Sequence, residues 1–317
     1  MTPAPWSLRA TCRSLAAGWQ AFFHAPCDAR VCAAIRIAFA IVVLLDLSIL
    51  YPDLDLWFTD GGVLPTEASH EVAKPYGWSV FWHLPSTSAV VHVCYWIAVA
   101  QALLLLVGLL SNLQMLGVFI WLTSLENRNF LIIDGEDVVF RLLAFCLIWV
   151  PLGRCWSVDA VLRRWWAAPR GEGSNGFAAP GWGLRLVQIQ MCVSLLAAGL
   201  WKLAGPEWLN GTALYYVARL DDYFGRLPIP TWLFDTPWAV ALITWSVMVV
   251  EVLGPILLWF KETRRIALAA IVLFHLGNEW TMHLFLFHWV MLCGWLAFVS
   301  PEDFAWIGRL FRKSTRA

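Results

Sequence analysis

The sequence predicts an all-α fold, a polytopic transmembrane helical bundle of about eight spans with both termini inside. Three observations carry this. First, of 317 residues 60% are hydrophobic and 14% charged, and the mean hydropathy is +0.66. No soluble domain of this size hides so much apolar surface, so lipid must solvate part of it. Second, apolar runs of span length recur along the chain. Third, Lys and Arg segregate between alternate loops. The lipid bilayer is therefore the first expected partner. A formal net charge of zero and the lack of a basic arm argue against nucleic acid. The 22 Trp and 19 Phe suit rings lining both membrane interfaces.

In chain order, residues 1–30 hold Arg9, Arg13 and Arg30 but no long apolar core and no cleavage site. They read as a cytoplasmic, partly amphipathic lead-in and not as a signal peptide. The membrane domain is expected over 31–305, with apolar runs at 32–50, 88–110, 113–125 (continuing towards 133), 138–152, 184–203, 238–260, 266–282 and 284–300. Glu126-Asn127-Arg128-Asn129 and Asp134-Gly135-Glu136-Asp137 interrupt the third and fourth, and the last two form a tight hairpin. Residues 167–183 read as a flexible inner linker and 306–317 as a basic cytoplasmic tail.

Charge placement tests the arrangement independently. With the N-terminus inside, the inner segments carry Arg9, Arg13, Arg30, Arg154, Arg163, Arg164, Arg170, Lys261, Arg264, Arg265, Arg309, Arg312, Lys313 and Arg316. The outer loops carry Lys74, Arg128, Arg219 and Arg226. Fourteen against four satisfies the positive-inside rule. The longer outer loops carry acids, among them Asp53, Asp60, Glu207, Asp221 and Asp235, and suggest a cap over an outward-facing cavity.

Ionisable residues within spans are the default functional candidates. Here they are Arg36, Asp46, Arg141, Lys202, Glu251, His275 and Glu279. Asp46, Arg141, Lys202 and Glu279 fall in the outer part of their spans, with His275 nearer the middle and Glu251 deeper. Lys202 has two readings. It can snorkel to the headgroups, or it can sit in an apolar pocket, where burial disfavours the ammonium form and leaves a neutral amine as general base.

His275, Asn278, Glu279 and His283 follow helical spacing and form a polar stripe on one face, suited to a polar ligand headgroup. His and Glu four apart could ligate a metal, but no second pair stands at ligand spacing, so no metal is expected. His288 and His92 read as structural. Arg36 and Arg141 are expected to pair with acids such as Asp46 or Glu136. Ser157 is expected to cap a short helix over 158–166, with Asp159 in its first turn. The eight cysteines are scattered without a C-x-x-C and read as small buried hydrophobes.

Several segments, in order, resemble the membrane domain of vitamin K-dependent γ-glutamyl carboxylase and the related bacterial HTTM (horizontally transferred transmembrane) proteins. They are IRIAFAIVVLLD (35–46), TDGGVLP (59–65), RLLAF (141–145), WSVDAVL (156–162), GLWKLAGPEWLNGTALYY (199–216) and the FHLGNEW… stretch over 274–304. The match covers roughly residues 30–305. It implies that Lys202, the lysine of the GxxKL motif, is the general base that deprotonates a reduced naphthoquinone (vitamin K or menaquinone). O2 and CO2 would be co-substrates of a lyase-class carboxylation, or O2 of an oxygenase. His275 would contact a quinone oxygen, Trp208 would help bind the cofactor, and Asp46, Arg141, Asn278 and Glu279 would support the site. It further implies a bacterial inner membrane with the active side outward, and a secreted peptide or protein as substrate. The chain stops at Ala317, where the carboxylase continues into a large lumenal domain, and Glu126-Asn127-Arg128-Asn129 stands where the carboxylase has an Asn-Asn-His element. The quinone half of the chemistry therefore transfers better than the protein-carboxylation half. The alternative is a non-enzymatic accessory protein for maturation or export of a secreted peptide. Transport has less support, since no paired broken spans recur in the two halves.

Overall fold

The computed structural model describes residues 8–73, 77–166, 177–230 and 232–304. The expected tail at 306–317 and most of the expected linker lie outside the described residues. The described chain is mostly helical. Its ten principal helices are α1 (Leu8–Phe23), α2 (Ala29–Leu50), α3 (Ser88–Val107), α4 (Ser111–Arg128), α5 (Gly135–Leu147), α6 (Val158–Trp166), α7 (Trp182–Lys202), α8 (Pro237–Leu257), α9 (Arg264–Thr281) and α10 (Phe287–Trp295). Each apolar run expected from the sequence contains one of these helices.

Among the described residues, four helical stretches are long and apolar enough to cross a membrane: Ala29–Phe58, Ser88–Val107, Trp182–Lys202 and Pro237–Leu257. The first runs from α2 through a 3-10 turn at Tyr51–Asp53. The other four are shorter or carry charge.

Local chemistry sets the ends. Asp28 accepts a hydrogen bond from the Arg30 amide and caps α2. α5 opens on a capping box, in which Asp134 accepts from the Glu136 amide and Asp137 accepts from the Asp134 amide. α3 ends at Gly108, whose φ of +77° lies in the left-handed region that glycine enters without strain.

Helices α2–α5 and α7–α10 share one apolar core. α2 packs on α3, α3 on α4 and α4 on α5; α7 packs on α8, and α8 on α9. α5 and α10 join the halves, with Phe39, Phe140, Val187, Met191, Val290 and Trp295 buried between them. A two-stranded antiparallel ladder pairs β1 (Cys27–Asp28) with β2 (Ala178–Ala179) and brings the starts of α2 and α7 to one end. Arg185 donating to the Phe22 carbonyl and Arg265 pairing with Asp303 gather at that same end.

The structure corrects four local expectations. Glu126-Asn127-Arg128 does not interrupt the third run; α4 continues through it, because each charge finds a tertiary partner. Glu126 pairs with Arg141, and Arg128 donates to the carbonyls of Leu64 (2.8 Å) and Phe58 (3.0 Å). Arg128 is fully buried and is not a loop charge. Asp134–Asp137 likewise begins a helix and does not break one. Among the described residues Arg36 pairs with no acid: its guanidinium donates to the carbonyls of Leu152 (3.2 Å) and Trp156 (2.5 Å). Arg141 takes Glu126 as its partner, not Asp46 or Glu136.

Ser157 does cap α6, accepting from the Ala160 amide at 3.0 Å. Asp159 does more than sit in the first turn. It accepts from the Leu110 amide (2.7 Å) and from the Ser111 amide and hydroxyl (2.9 and 2.8 Å), and so caps α4 as well. Burial pushes the Asp159 carboxyl up, but these donors outweigh it and hold the group below the usual carboxylate range.

Candidate functional site

α7 and α8 approach each other closely at Gly199. A Cβ there would lie 2.9 Å from Val252 Cγ2 and 3.0 Å from Glu251 Cβ, so only glycine fits. One turn later, Lys202 reaches across the gap. Its Nζ lies 2.9 Å from Glu251 Oε1 and 2.7 Å from Oε2. The glycine and lysine of the GxxKL pattern are thus coupled: the first lets the helices meet where the second needs a partner. On α8, Pro255 has no N–H to give the Glu251 carbonyl four residues earlier, so the helix lacks that hydrogen bond where the carboxylate sits.

Beyond α7, Gly205-Pro206 turns the chain into the short helix Pro206–Leu209, with Pro206 at its first position, where proline's missing N–H does no harm. The turn places the Trp208 ring 5.2 Å from Lys202 Nζ, a cation–π distance.

Lys202, Glu251 and Trp208 line a cavity of about 330 Å³. His275 and Asn278 enter it from α9 and His288 from α10, and the rest of the wall is mostly apolar, including Phe274, Phe287 and Met291. Both histidines are 1% exposed. They are joined to each other and to Trp295. Trp295 Nε1 donates to His275 Nε2 at 3.0 Å, and the Nδ1 atoms of His275 and His288 lie 3.1 Å apart. Among the described residues, His288 Nε2 is buried without a hydrogen-bond partner.

Of the residues singled out by sequence, the structure brings Lys202, Trp208, His275 and Asn278 together. It does not bring Glu279, Asp46 or Arg141. Glu279 sits one position past Asn278 and turns away, pairing with Arg226 and accepting from Trp289 Nε1 at 3.0 Å. His283 lies beyond the end of α9, where its amide donates to the Tyr223 carbonyl at 2.8 Å. The expected four-residue stripe is therefore two residues long at the cavity. The loop that carries His283 is held to the 223–225 segment by that bond and by the Phe224–Met282 bridge. It is also pinned to α5, where Glu136 accepts from the Leu286 amide at 2.7 Å. Asp46 lines a second cavity of about 330 Å³ with Glu126, Glu136 and Asp137, and Arg141 reaches that cavity's wall through Glu126.

Two residues matter more than their place in the sequence indicates: Glu251 stands there only as a deep charge, and His288 reads as structural. For Glu251 a signal exists: a buried acid needs a cation, and Arg36, Arg141, Arg185 and Lys202 are the cations within the apolar runs. For His288 there is none, since its role depends on which ring nitrogen is left free.

The family profile described as the HTTM domain matches residues 24–303. Among curated proteins, the chain is similar to YitO of Bacillus subtilis (strain 168), an uncharacterised protein, at 26% identity over 227 residues, covering 68% of this chain and 70% of YitO. It is also similar to the sporulation-delaying protein SdpB of the same organism, at 25% identity over 207 residues, covering 62% of each chain. No solved structure matches.

Proposed function

Because this chain belongs to the HTTM domain family and is an integral membrane protein by that membership and its apolar helices, we propose that it is a quinone-using enzyme of the carboxylase-like kind, with Lys202 as general base. In this reading all eight apolar runs cross the bilayer, the termini lie inside, and the cavity opens towards the outer face of a bacterial inner membrane. The observation that carries it is the Lys202–Glu251 pair in the wall of an apolar cavity.

A cavity of about 330 Å³ falls at the small end of ligand sites and suits one bicyclic headgroup. The apolar wall and the Trp208 ring favour a flat hydrophobic ring system. The few polar side chains suit its oxygens. A reduced naphthoquinone would supply the reducing equivalents consumed with O2.

This chain's own part is proton handling. A proton shared by Lys202 and Glu251 leaves either an ion pair or, when it rests on Glu251, a neutral amine beside a neutral acid. The Lys202 amine would accept a hydroxyl proton from the bound ring and become the ammonium, and the Glu251 carboxyl would return its own proton to water, leaving the ion pair. Addition of CO2 to a secreted peptide or protein would be the later half of the chemistry.

The test uses purified protein in nanodiscs supplied with menaquinol. Oxygen consumption is expected in the wild type and loss of it in Lys202→Ala, with helical content unchanged. A wild-type protein that binds no quinone overturns the reading. The second reading is a non-enzymatic accessory to the maturation or export of a secreted peptide. That reading requires Lys202→Ala to keep wild-type function and the protein to form a complex with its secreted partner.

A further inference from the structure

The three-ring chain Trp295–His275–His288 has only one consistent arrangement of protons. The indole Nε1–H of Trp295 can donate and cannot accept. At 3.0 Å it therefore requires a lone pair on His275 Nε2. His275 is then neutral, and its proton sits on Nδ1. That Nδ1–H faces His288 Nδ1 at 3.1 Å, so His288 Nδ1 must accept. His288 is in turn neutral, with its proton on Nε2. This is the ring nitrogen that has no partner among the described residues, on a side chain 1% exposed that lines the cavity.

The geometry points to His288 Nε2–H as the hydrogen-bond donor that the cavity presents to a ligand oxygen, with Trp295 and His275 as positioning residues that fix its direction. Both ring nitrogens of His275 are already engaged, so the histidine the sequence singled out holds its neighbour and does not itself touch the ligand. The ligand class is a flat apolar molecule with an acceptor oxygen, a ring carbonyl or phenolate. The identification of that molecule as a quinone rests on the proposed function; the direction of the chain does not. A buried donor left unmade carries a desolvation penalty, which a matching acceptor relieves. An analogue lacking that oxygen is rejected for the same reason.

The experiment uses full-length protein in nanodiscs with ¹⁵N-labelled histidine and menadione as probe. In the ligand-free wild type, solid-state nitrogen spectra are expected to show His275 protonated at Nδ1 and His288 at Nε2, assigned by the loss of each signal in His275→Asn and His288→Phe. With carbonyl-labelled menadione, one C=O stretch is expected at lower frequency in the wild type and at its unbonded position in His288→Phe, with binding about tenfold weaker. Trp295→Phe keeps both histidines but removes the donor that orders them; mixed tautomers and a split carbonyl band are expected, which a purely structural role for Trp295 would not produce. His288 protonated at Nδ1, or a carbonyl band unmoved by His288→Phe, overturns the inference while leaving quinone use intact. A wild type that takes up no menadione overturns quinone use alone, and the nitrogen spectrum still decides the direction of the chain.

Discussion

Removing the Lys202–Glu251 pair one partner at a time, and then both together, separates a working ion pair from a lysine that reaches for headgroups. At 2.7 Å two unit charges attract by about 6 kcal/mol at an effective dielectric of about 20. The Lys202 side chain is 23% exposed, and that solvent access screens the pair to a coupling of roughly 3 kcal/mol. Lys202→Met leaves Glu251, whose side chain is 5% exposed, buried beside an apolar neighbour. A loss of about 3 kcal/mol is expected. Glu251→Leu leaves a lysine whose stem can still carry the ammonium towards water, so the loss is smaller, about 1.5 kcal/mol. The double variant replaces the pair with apolar groups of similar size and should fall within about 1 kcal/mol of the wild type. Equilibrium unfolding in mixed detergent micelles measures all four proteins. A double variant as unstable as the sum of the singles, about 4.5 kcal/mol, would show that the two side chains do not interact.

Two further outcomes follow from neighbouring geometry. Gly199→Ala should gain about 1 kcal/mol of helix propensity yet force α7 from α8, because its methyl meets Val252 and Glu251 at about 3 Å. A net loss of roughly 1–2 kcal/mol, with lowered oxygen uptake, is expected; unchanged stability and uptake would mean the close approach is not needed. Asp159→Asn should cost about 1 kcal/mol at neutral pH. Burial pushes the wild-type carboxyl up, and the Ser111 and Leu110 donors overcome this to hold it below its ordinary value. Its stabilisation is therefore fully present above the unfolded value, about 3.9, and fades as pH falls through the lower folded value. Acid titration of unfolding should show this slope in the wild type and not in Asp159→Asn.

The helices were legible because an apolar run is a local property, and each run expected from the sequence holds a helix. What the sequence could not show was how charges at run ends are satisfied. Glu126 and Arg128 looked like a break because their partners, Arg141 and the carbonyls of Phe58 and Leu64, come from other parts of the chain. The same holds at the site. Lys202 was found by its motif and its place in an apolar run, whereas its partner is 49 residues away on another helix. Helical spacing put Glu279 on the face of His275 and Asn278, but a helix face is broad, and Arg226 and Trp289 draw Glu279 out of the cavity. His288 was invisible for a different reason. Sequence gives a histidine, and only a hydrogen-bond chain says which of its nitrogens is free.

Arg36 has a consequence for how the protein is made. Its guanidinium is fully buried and finds its acceptors at Leu152 and Trp156, 116 and 120 residues further along the chain. While α2 is being synthesised those carbonyls do not yet exist. Until they do, a buried guanidinium would leave its donors unpaired, which is costly, so this end of the nascent α2 stays where water can reach it. The first apolar helix to leave the ribosome can thus take its final seat only after the segment following the fourth has emerged, and Arg36 makes early insertion provisional.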